Sequence, residues 1–266
     1  MKAKRALGQN FLTDQRVCRK IVSLLSLSEN DFVLEIGPGR GALTSLLADE
    51  PRRTLILLEK DRELVAAHKN WPDSKILNAD ALAFSWEKLG AIGRWKLAGN
   101  LPYNIASPLV WEIVSRCDAY DLGVFMFQKE VAERIVSPPG SGKYGALSVW
   151  LQSWAKPNYE FAIKPGSFFP PPKVDSAVVS FRPLPSEEKP RSPRALKYLL
   201  DACFQQRRKQ ISGIFKRSGL ASLIPYLEKF EVAETARPEE LSSAKFNLFA
   251  DALSALYPEK FSRRNI

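Results

Sequence analysis

The chain has 266 residues, one histidine, three cysteines and a formal net charge of +10. A single histidine argues against histidine-ligated zinc hydrolases and histidine-based catalytic triads, and three scattered cysteines argue against a disulfide framework or a cysteine-ligated metal site. No apolar run approaches the ~18 residues that a membrane span needs, and the N-terminus lacks the apolar segment of a signal peptide, so we expect a cytoplasmic protein without metal or membrane partner.

Basic residues are concentrated in two segments of the chain. Residues 1–20 carry six Lys or Arg and one acidic residue, and residues 189–217 carry nine Lys or Arg and one acidic residue. Neither segment has the long apolar face of a helix that lies on a membrane. This distribution favours a polyanionic partner, with nucleic acid preferred over membrane.

Apolar runs of strand length alternate with helical patterns over the first two-thirds of the chain. Their near-continuous hydrophobicity predicts buried parallel strands, and helices are expected to begin near Gly41, Asp61, Ser107 and Lys129. The predicted strands span 31–37, 54–60, 74–80, 95–100, 122–129, 158–164 and 176–182. The alternation indicates a doubly wound, Rossmann-like α/β fold with about seven mostly parallel strands.

A proline-rich stretch, RPLPSEEKPRSP at 182–193, is typical of a linker. The sequence after it has helical spacing, with Phe204, Ile211 and Phe215 on one face, and gives no strand signal. We therefore expect two domains, an α/β domain over 1–185 and a small all-α domain over 186–266.

The first long strand ends in EIGPGRGAL at 35–43, where Gly37, Gly39 and Ala42 fit a loose G-x-G-x-x-A pattern. Glycines between a strand and a helix let a nucleoside ligand approach the backbone closely. A tight turn without a ligand uses the same residues, so this pattern alone is a weak signal.

Carboxylates follow the next two predicted strands. Glu59 is spaced to accept hydrogen bonds from the hydroxyls of a ribose, and Asp80 is spaced to accept one from an adenine amino group. Each has a purely structural alternative, because Glu59 precedes a helix and Asp80 could cap one. Polar groups at the ends of three successive strands together predict an adenosine-containing cofactor, either NAD or S-adenosyl-L-methionine.

The motif GNLPYN at 99–104 separates these two cofactors. Asn100 and the Leu101 carbonyl can accept hydrogen bonds from an exocyclic amine and orient its nitrogen for attack, while Tyr103 offers a ring on which the base can stack. A dehydrogenase has no use for this loop, whereas an adenine N6-methyltransferase does. A second aromatic wall is expected from Phe168 or Phe169, one of which we interpret as a lid over the core.

Five motifs in this order resemble the ribosomal RNA adenine dimethyltransferases over almost the whole chain. They are LGQNFL (7–12), EIGPGRGALT (35–44), NLPYNIASPL (100–109), FFPPPKVDSAVV (168–179) and FQQRRK (204–209). The resemblance implies a monomeric enzyme that uses S-adenosyl-L-methionine to dimethylate N6 of two adjacent adenosines near the 3′ end of 16S ribosomal RNA in the small ribosomal subunit.

The resemblance also assigns roles to residues. Those expected to bind the cofactor are Asn10, Leu12, Gly37, Gly39, Glu59, Asp80 and Asn100. Those expected to hold the target base are Asn100, Leu101, Tyr103 and Phe168. The basic run of Arg207, Arg208 and Lys209 is expected to contact RNA.

Two alternatives remain within this family of folds. One is a methyltransferase of the antibiotic-resistance type that modifies 23S ribosomal RNA, and the other is a nucleic-acid-binding assembly or transcription factor without catalysis. The LGQNFL start and the basic helical tail favour the small-subunit enzyme, and the intact Gly37, Glu59, Asn100 and Tyr103 argue against a role in binding alone.

Overall fold

A computed structural model of the chain describes residues 10–68, 71 and 73–261, so the first nine residues of the basic segment at 1–20 lie outside the described residues. The strands are β1 (Phe11–Leu12), β2 (Phe32–Ile36), β3 (Thr54–Glu59), β4 (Ser74–Asn78), β5 (Trp95–Gly99), β6 (Tyr120–Gln128), β7 (Ala155–Ile163), β8 (Phe168–Phe169) and β9 (Ser176–Pro183). The α-helices are α1 (Gln15–Leu24), α2 (Thr44–Asp49), α3 (Arg62–His68), α4 (Tyr103–Arg116), α5 (Lys129–Ile135), α6 (Ala146–Trp154), α7 (Pro193–Phe204), α8 (Ile211–Arg217), α9 (Pro225–Lys229), α10 (Ser243–Leu256) and α11 (Pro258–Phe261).

Seven strands form one sheet in the order β4-β3-β2-β5-β6-β9-β7. The strands from β4 to β6 pair in parallel, and β9 pairs antiparallel with β6. Successive residues of β2, β5 and β6 are buried, and because successive side chains point to opposite faces, both faces of the sheet are covered. The predicted seven-stranded, mostly parallel α/β fold is confirmed.

The predicted elements differ from the observed ones in their boundaries. Helix α4 begins at Tyr103, four residues before the predicted start at Ser107, and it contains Pro108 in its interior. Proline is most common in the first turn of a helix, which is why the sequence placed the start too late. The loop after β5 therefore consists of Asn100, Leu101 and Pro102, and Tyr103 already belongs to the helix.

Helices α1 and α6 were not among the predicted elements. The Asp14 side chain caps α1 by accepting hydrogen bonds from the backbone N–H groups of Arg16 and Val17. Helix α6 is mostly buried and has no charged residue, and its Ser148, Gln152 and Ser153 side chains donate to backbone carbonyls, so it lacks the charged outer face that reveals most helices in a sequence.

The contacts divide the described chain into two compact units. The first comprises the described parts of 1–132 and 157–183, and the second comprises 133–156 and the described part of 184–266. The chain passes from the first unit to the second for the last time between 183 and 184, close to the predicted boundary between 185 and 186. Residues 133–156, which the sequence placed in the first domain, are grouped with the tail because α6 packs against α7 and α10.

The second unit is built around α7 and α10, which pack against each other. Cys203 in α7 and Ile211 and Phe215 in α8 are fully buried, and the Phe204 ring contacts that of Phe246. The predicted small helical part of the fold is confirmed, and it includes α6 as well as the tail.

A short antiparallel ladder joins the beginning of the described chain to the end of the first unit. Phe11 pairs with Phe169 and Leu12 with Phe168. The backbone N–H and the hydroxyl of Thr13 both donate to the carbonyl of Ser167, at 2.8 and 3.1 Å. This ladder brings residues 10–12 to the carboxyl end of the central strands.

No helix in the described part of the chain is long and apolar enough to cross a membrane.

Candidate active site

A cavity of about 290 Å³ lies in the first unit, at the carboxyl ends of the parallel strands. Its lining includes every residue that the sequence assigned to the cofactor, as well as Leu101 and Tyr103 from the target-base set. The residues of both sets that line it are Asn10, Leu12, Gly37, Gly39, Glu59, Asp80, Asn100, Leu101 and Tyr103. Four separate loops and the β1 strand are therefore brought together at one site.

The glycine loop after β2 has an open backbone surface. Gly37, Gly39 and Gly41 have φ angles of +66°, +58° and +84°, which favour glycine over residues with a side chain. A Cβ atom added to Gly37 would meet nothing within 4 Å, so a ligand in the cavity can approach this backbone directly. At Gly39 a Cβ would lie 3.1 Å from the Phe11 ring, which packs tightly on the loop.

Glu59, the last residue of β3, is a buried carboxylate that spans two backbone segments. Its Oε1 accepts from the backbone N–H of Asp61 at 2.8 Å and its Oε2 from that of Gly39 at 3.4 Å. Burial raises the pKa of Glu59, and these hydrogen bonds oppose the rise. The backbone of Lys60 also contributes a hydrogen bond, and because a carboxylate has about four acceptor positions, capacity remains for a ribose hydroxyl.

Asp80 has the structural role that the sequence offered as its alternative. It caps a short 3₁₀ helix, accepting from the backbone N–H of Leu82 at 3.0 Å, and its Oδ2 pairs with Lys60 Nζ at 2.7 Å. The hydrogen bond from Lys60 lowers the pKa of Asp80. Because Asp80 also lines the cavity, capping and ligand binding are compatible at this position.

The Asn100 side chain is oriented by the segment before β1. Its Nδ2 donates to the backbone carbonyl of Asn10 at 3.0 Å. Because the amide is planar, fixing Nδ2 also fixes Oδ1, which is the atom that can accept from an amine. Leu101, the next residue, is buried, and its side chain packs close to Gly99.

Tyr103 is held at both ends of its side chain. Its backbone begins α4, and its hydroxyl lies 2.5 Å from the hydroxyl of Ser176 at the start of β9. Burial raises the pKa of Tyr103, with a smaller opposing effect of the Ser176 hydrogen bond. The phenol is therefore neutral and its ring has a fixed position beside the cavity.

Phe168 and Phe169 differ in exposure because successive residues of a strand point to opposite sides. Phe168 is 4% exposed and belongs to the buried core cluster with Leu12, whereas Phe169 is 59% exposed. One of the two is thus a core residue, as the sequence led us to expect. The assignment of Phe168 to the target base stays a prediction, and it requires the base to reach a ring that is buried here.

Glu35 is a cavity residue to which the sequence analysis gave no role. It is 1% exposed within β2, and its Oε2 accepts from the Thr44 hydroxyl at 2.7 Å. Burial raises the pKa of Glu35 to about 7. A lone charged residue in an apolar run, as in FVLEIG, is the signal that could have identified it.

The basic run that the sequence assigned to RNA lies between α7 and α8 in the second unit. Arg207 Nε pairs with Glu239 Oε2 at 2.9 Å, and its Nη2 donates to the Gly142 carbonyl at 3.2 Å. All three residues of the run are exposed. Arg207 also connects parts of the second unit through these contacts.

The described residues contain no group of three or more His, Cys, Asp or Glu side chains that could hold a metal ion. The cavity instead combines carboxylates, an oriented amide, an aromatic ring and an open glycine backbone. This set suits a nucleoside-containing ligand.

Comparison with known proteins gives one consistent family. The model of the family described as Ribosomal RNA adenine dimethylase matches residues 1–254. A protein of Maridesulfovibrio salexigens named Ribosomal RNA small subunit methyltransferase A is 46% identical over 258 residues, covering 97% of this chain and 98% of the relative. A protein of the same name from Oleidesulfovibrio alaskensis is 47% identical over 259 residues, covering 96% of this chain and 92% of the relative.

Two solved structures share the fold. A dimethyladenosine transferase from Plasmodium falciparum superposes with a TM-score of 0.75 at 24% identity, covering 94% of this chain and 98% of its own. The 23S rRNA methyltransferase ErmE gives a TM-score of 0.66 at 23% identity, covering 92% of this chain and 99% of its own. With a family model matched over nearly the whole length and relatives above 40% identity, this chain belongs to the ribosomal RNA adenine dimethylase family.

Proposed function

We propose that this protein transfers methyl groups from S-adenosyl-L-methionine to N6 of two adjacent adenosines near the 3′ end of 16S ribosomal RNA, dimethylating each. Membership of the adenine dimethylase family and relatives named as small-subunit methyltransferases support this substrate. The observation that carries the proposal is the Asn100 amide, oriented by Asn10 at the rim of a cavity that also contains Glu59 and Tyr103.

The cavity fits S-adenosyl-L-methionine by its shape and donor set. Gly37 leaves open space over the backbone, Glu59 has acceptor capacity left for the ribose, and Asp80 has a carboxylate for the adenine amino group. Asn10, Leu12 and Gly39 complete the wall. When bound, the cofactor supplies an electrophilic methyl group on a sulfonium centre.

The residues of the Asn100–Tyr103 segment act on the target adenine. The lone pair of N6 is delocalised into the ring, so the amine is a weak nucleophile. Asn100 Oδ1 and the Leu101 carbonyl accept its two hydrogens and turn the lone pair out of the ring plane towards the methyl donor. Tyr103 stacks on the base and holds it in this orientation, with Phe168 as the predicted second aromatic.

No strong base is needed for this reaction. Methylation makes the amine cationic and acidic, and its proton is lost to water without help. The Tyr103 phenol, whose pKa is raised by burial, remains protonated and contributes its ring rather than a charge. The absence of a catalytic histidine is consistent with this chemistry.

The helical second unit binds the ribosomal RNA, and the protein acts as a cytoplasmic monomer on the small ribosomal subunit. The net charge of +10 favours a polyanion, and the exposed Arg208 and Lys209 supply phosphate contacts. These contacts provide most of the RNA affinity, whereas the cavity selects the target base.

The decisive experiment is primer extension across both ribosomal RNAs in cells with and without the gene. Dimethylated adenosines block the reverse transcriptase, so loss of the gene should remove a double stop near the 3′ end of 16S RNA. A stop lost from 23S RNA instead would assign the protein to the large-subunit enzymes. An unchanged pattern in both RNAs would leave a binding role without catalysis.

A further inference from the structure

An exposed aromatic ring and a guanidinium lie together beside the cavity, and the proposed function uses neither of them. Phe169 is 59% exposed, and the Arg40 guanidinium carbon lies 5.9 Å from its ring centroid. Arg40 also lies 4.5 Å from the centroid of the Phe11 ring. Phe11 and Arg40 both line the cavity, so this cluster is continuous with the active site.

The protein holds the cluster in place before any RNA binds. Arg40 lies between Gly39 and Gly41, which both have positive φ, and the turn is closed by a hydrogen bond of 2.8 Å from the Gly41 N–H to the Pro38 carbonyl. Phe169 is paired with Phe11 in the β1–β8 ladder. Three prolines follow at 170–172, and each restricts its own φ.

A flat apolar ring beside a cation matches the two parts of a nucleotide. The base of a nucleotide has an aromatic face that stacks on a ring. The phosphate of the nucleotide is an anion that an Arg guanidinium binds in bidentate geometry. Tyr103 and Phe168 are already assigned to the target base, and Phe169 points to the opposite side of its strand from Phe168. A base extruded into the cavity leaves its neighbours in the strand unstacked near the mouth.

We propose that Phe169 and Arg40 bind the nucleotide next to the target adenosine, with its base stacked on Phe169 and its phosphate against Arg40. This inference rests on the proposed function, because it needs an extruded adenosine in the cavity. It adds a second base-binding site to the enzyme and makes the neighbouring nucleotide part of what is recognised.

The test combines protein variants with RNA lacking one base. Small subunits are reconstituted from unmethylated RNA with a single target adenosine whose 5′ neighbour, 3′ neighbour or neither is abasic. Single-turnover methylation is measured for the wild type, Phe169→Ala, Phe169→Trp and Arg40→Gln. Ile92→Ala is the matched control, because Ile92 is 57% exposed in the same unit and lies outside the cavity lining. Cofactor affinity is measured by calorimetry for each protein.

On intact RNA, Phe169→Ala should lower kcat/KM by roughly 5- to 150-fold, the range for one base stacked on an aromatic ring. Phe169→Trp should retain activity, and Arg40→Gln should make kcat/KM depend less strongly on salt concentration. On one of the two abasic substrates, Phe169→Ala should equal the wild type, because the stacking partner is already absent. The activity of Ile92→Ala and the cofactor affinity of the Phe169 variants should be unchanged.

Equal losses for Phe169→Ala on all three substrates, or a lowered cofactor affinity, would mean that the cluster only supports the fold, and the inference is then wrong. Full activity of Phe169→Ala on intact RNA also refutes it while leaving the proposed function intact. If the wild type itself methylates no substrate, the proposed function fails, and this inference fails with it.

Discussion

The hydroxyl of Tyr103 lies 2.5 Å from that of Ser176, so the first residue of α4 is tied to the first residue of β9. Ser176 is fully buried, and the hydrogen bond satisfies a group that has no access to water. The position of the Tyr103 ring is thus determined by two elements that lie far apart in the sequence.

This bond separates the two roles of Tyr103. Tyr103→Phe should retain most methylation activity, because the ring is kept, but should lower the free energy of unfolding by about 1–3 kcal/mol, the cost of an unsatisfied buried hydroxyl. Tyr103→Ala should lose about 1–3 kcal/mol of stacking as well. Ser176→Ala is the control that breaks the bond and spares the ring. Urea unfolding and single-turnover methylation measure the two effects. If Tyr103→Phe is as inactive as Tyr103→Ala, the stacking account is wrong.

Asn100→Ala should lower the single-turnover rate by roughly 10²–10³-fold, because it removes an oriented acceptor for the reacting amine. Asn100→Asp should also be impaired, since a carboxylate cannot donate to the Asn10 carbonyl that now orients the side chain. Asn104→Ala is the matched control, because Asn104 also lines the cavity. RNA affinity should be nearly the same in all three variants. Full activity of Asn100→Ala would move the target site to another loop.

Glu59→Ala should weaken binding of S-adenosyl-L-methionine by roughly 1.5–3 kcal/mol, the range for hydrogen bonds to a charged group. Glu63→Ala serves as the control, because Glu63 is an exposed acid in the first turn of the following helix. Isothermal calorimetry measures both, and NAD should bind neither protein. Unchanged affinity in Glu59→Ala contradicts the ribose-binding role.

The raised pKa of Glu35 predicts a pH-dependent contribution to stability. Burial raises this pKa from 4.5 to about 7, so between these values the folded protein holds a proton that the unfolded chain has released. The free energy of unfolding should therefore decrease as the pH rises through this window, by about 3 kcal/mol in total. The side chain of the Glu35→Gln variant cannot ionise, so its free energy of unfolding should not show this decrease. Urea unfolding of both proteins from pH 5 to 8 tests it, and parallel curves would mean that Glu35 titrates normally.

Replacing Arg207 should affect stability, whereas replacing Arg208 and Lys209 should affect RNA binding. Arg207→Ala removes the ion pair with Glu239 and should lower stability by about 1 kcal/mol. The double variant Arg208→Ala/Lys209→Ala should leave stability unchanged, weaken RNA binding across sequences, and reduce the salt slope by roughly 0.7–0.9 for each phosphate that the protein no longer neutralises. Thermal unfolding and binding at several salt concentrations distinguish the two. A salt slope that stays the same in the double variant would place the RNA-binding surface elsewhere.

The pattern of apolar residues along the sequence predicted the central sheet well. Strands covered on both faces require continuous apolar residues, and such runs are visible in a sequence. The pattern predicted the cavity for the same reason, since parallel strands bring the residues at their ends to one edge. The start of α4 was missed because Pro108 resembles a first-turn residue, and α6 was missed because it has no charged outer face.

Other features depend on partners that are distant in sequence. Which of Phe168 and Phe169 faces the core is decided by the ladder with Phe11 and Leu12, and no local pattern contains that register. The engagement of Arg207 by Glu239 is likewise a tertiary contact. A basic run looks the same whether its charges face RNA or another part of the protein.

The ladder between β1 and β8 also constrains how the protein is made. Thr13 and Ser167, which hydrogen-bond beside it, are 154 positions apart, so the wall of the cavity that holds Asn10 and Phe11 has no strand partner until residues 167–169 have left the ribosome. Domains form as their chain is synthesised from the N-terminus. An incomplete nascent chain can thus assemble the glycine loop and the strands β2 to β6, but it cannot close the cavity. The methylating site becomes complete only after residues 167–169 have emerged, when the first described residues meet the last part of their unit.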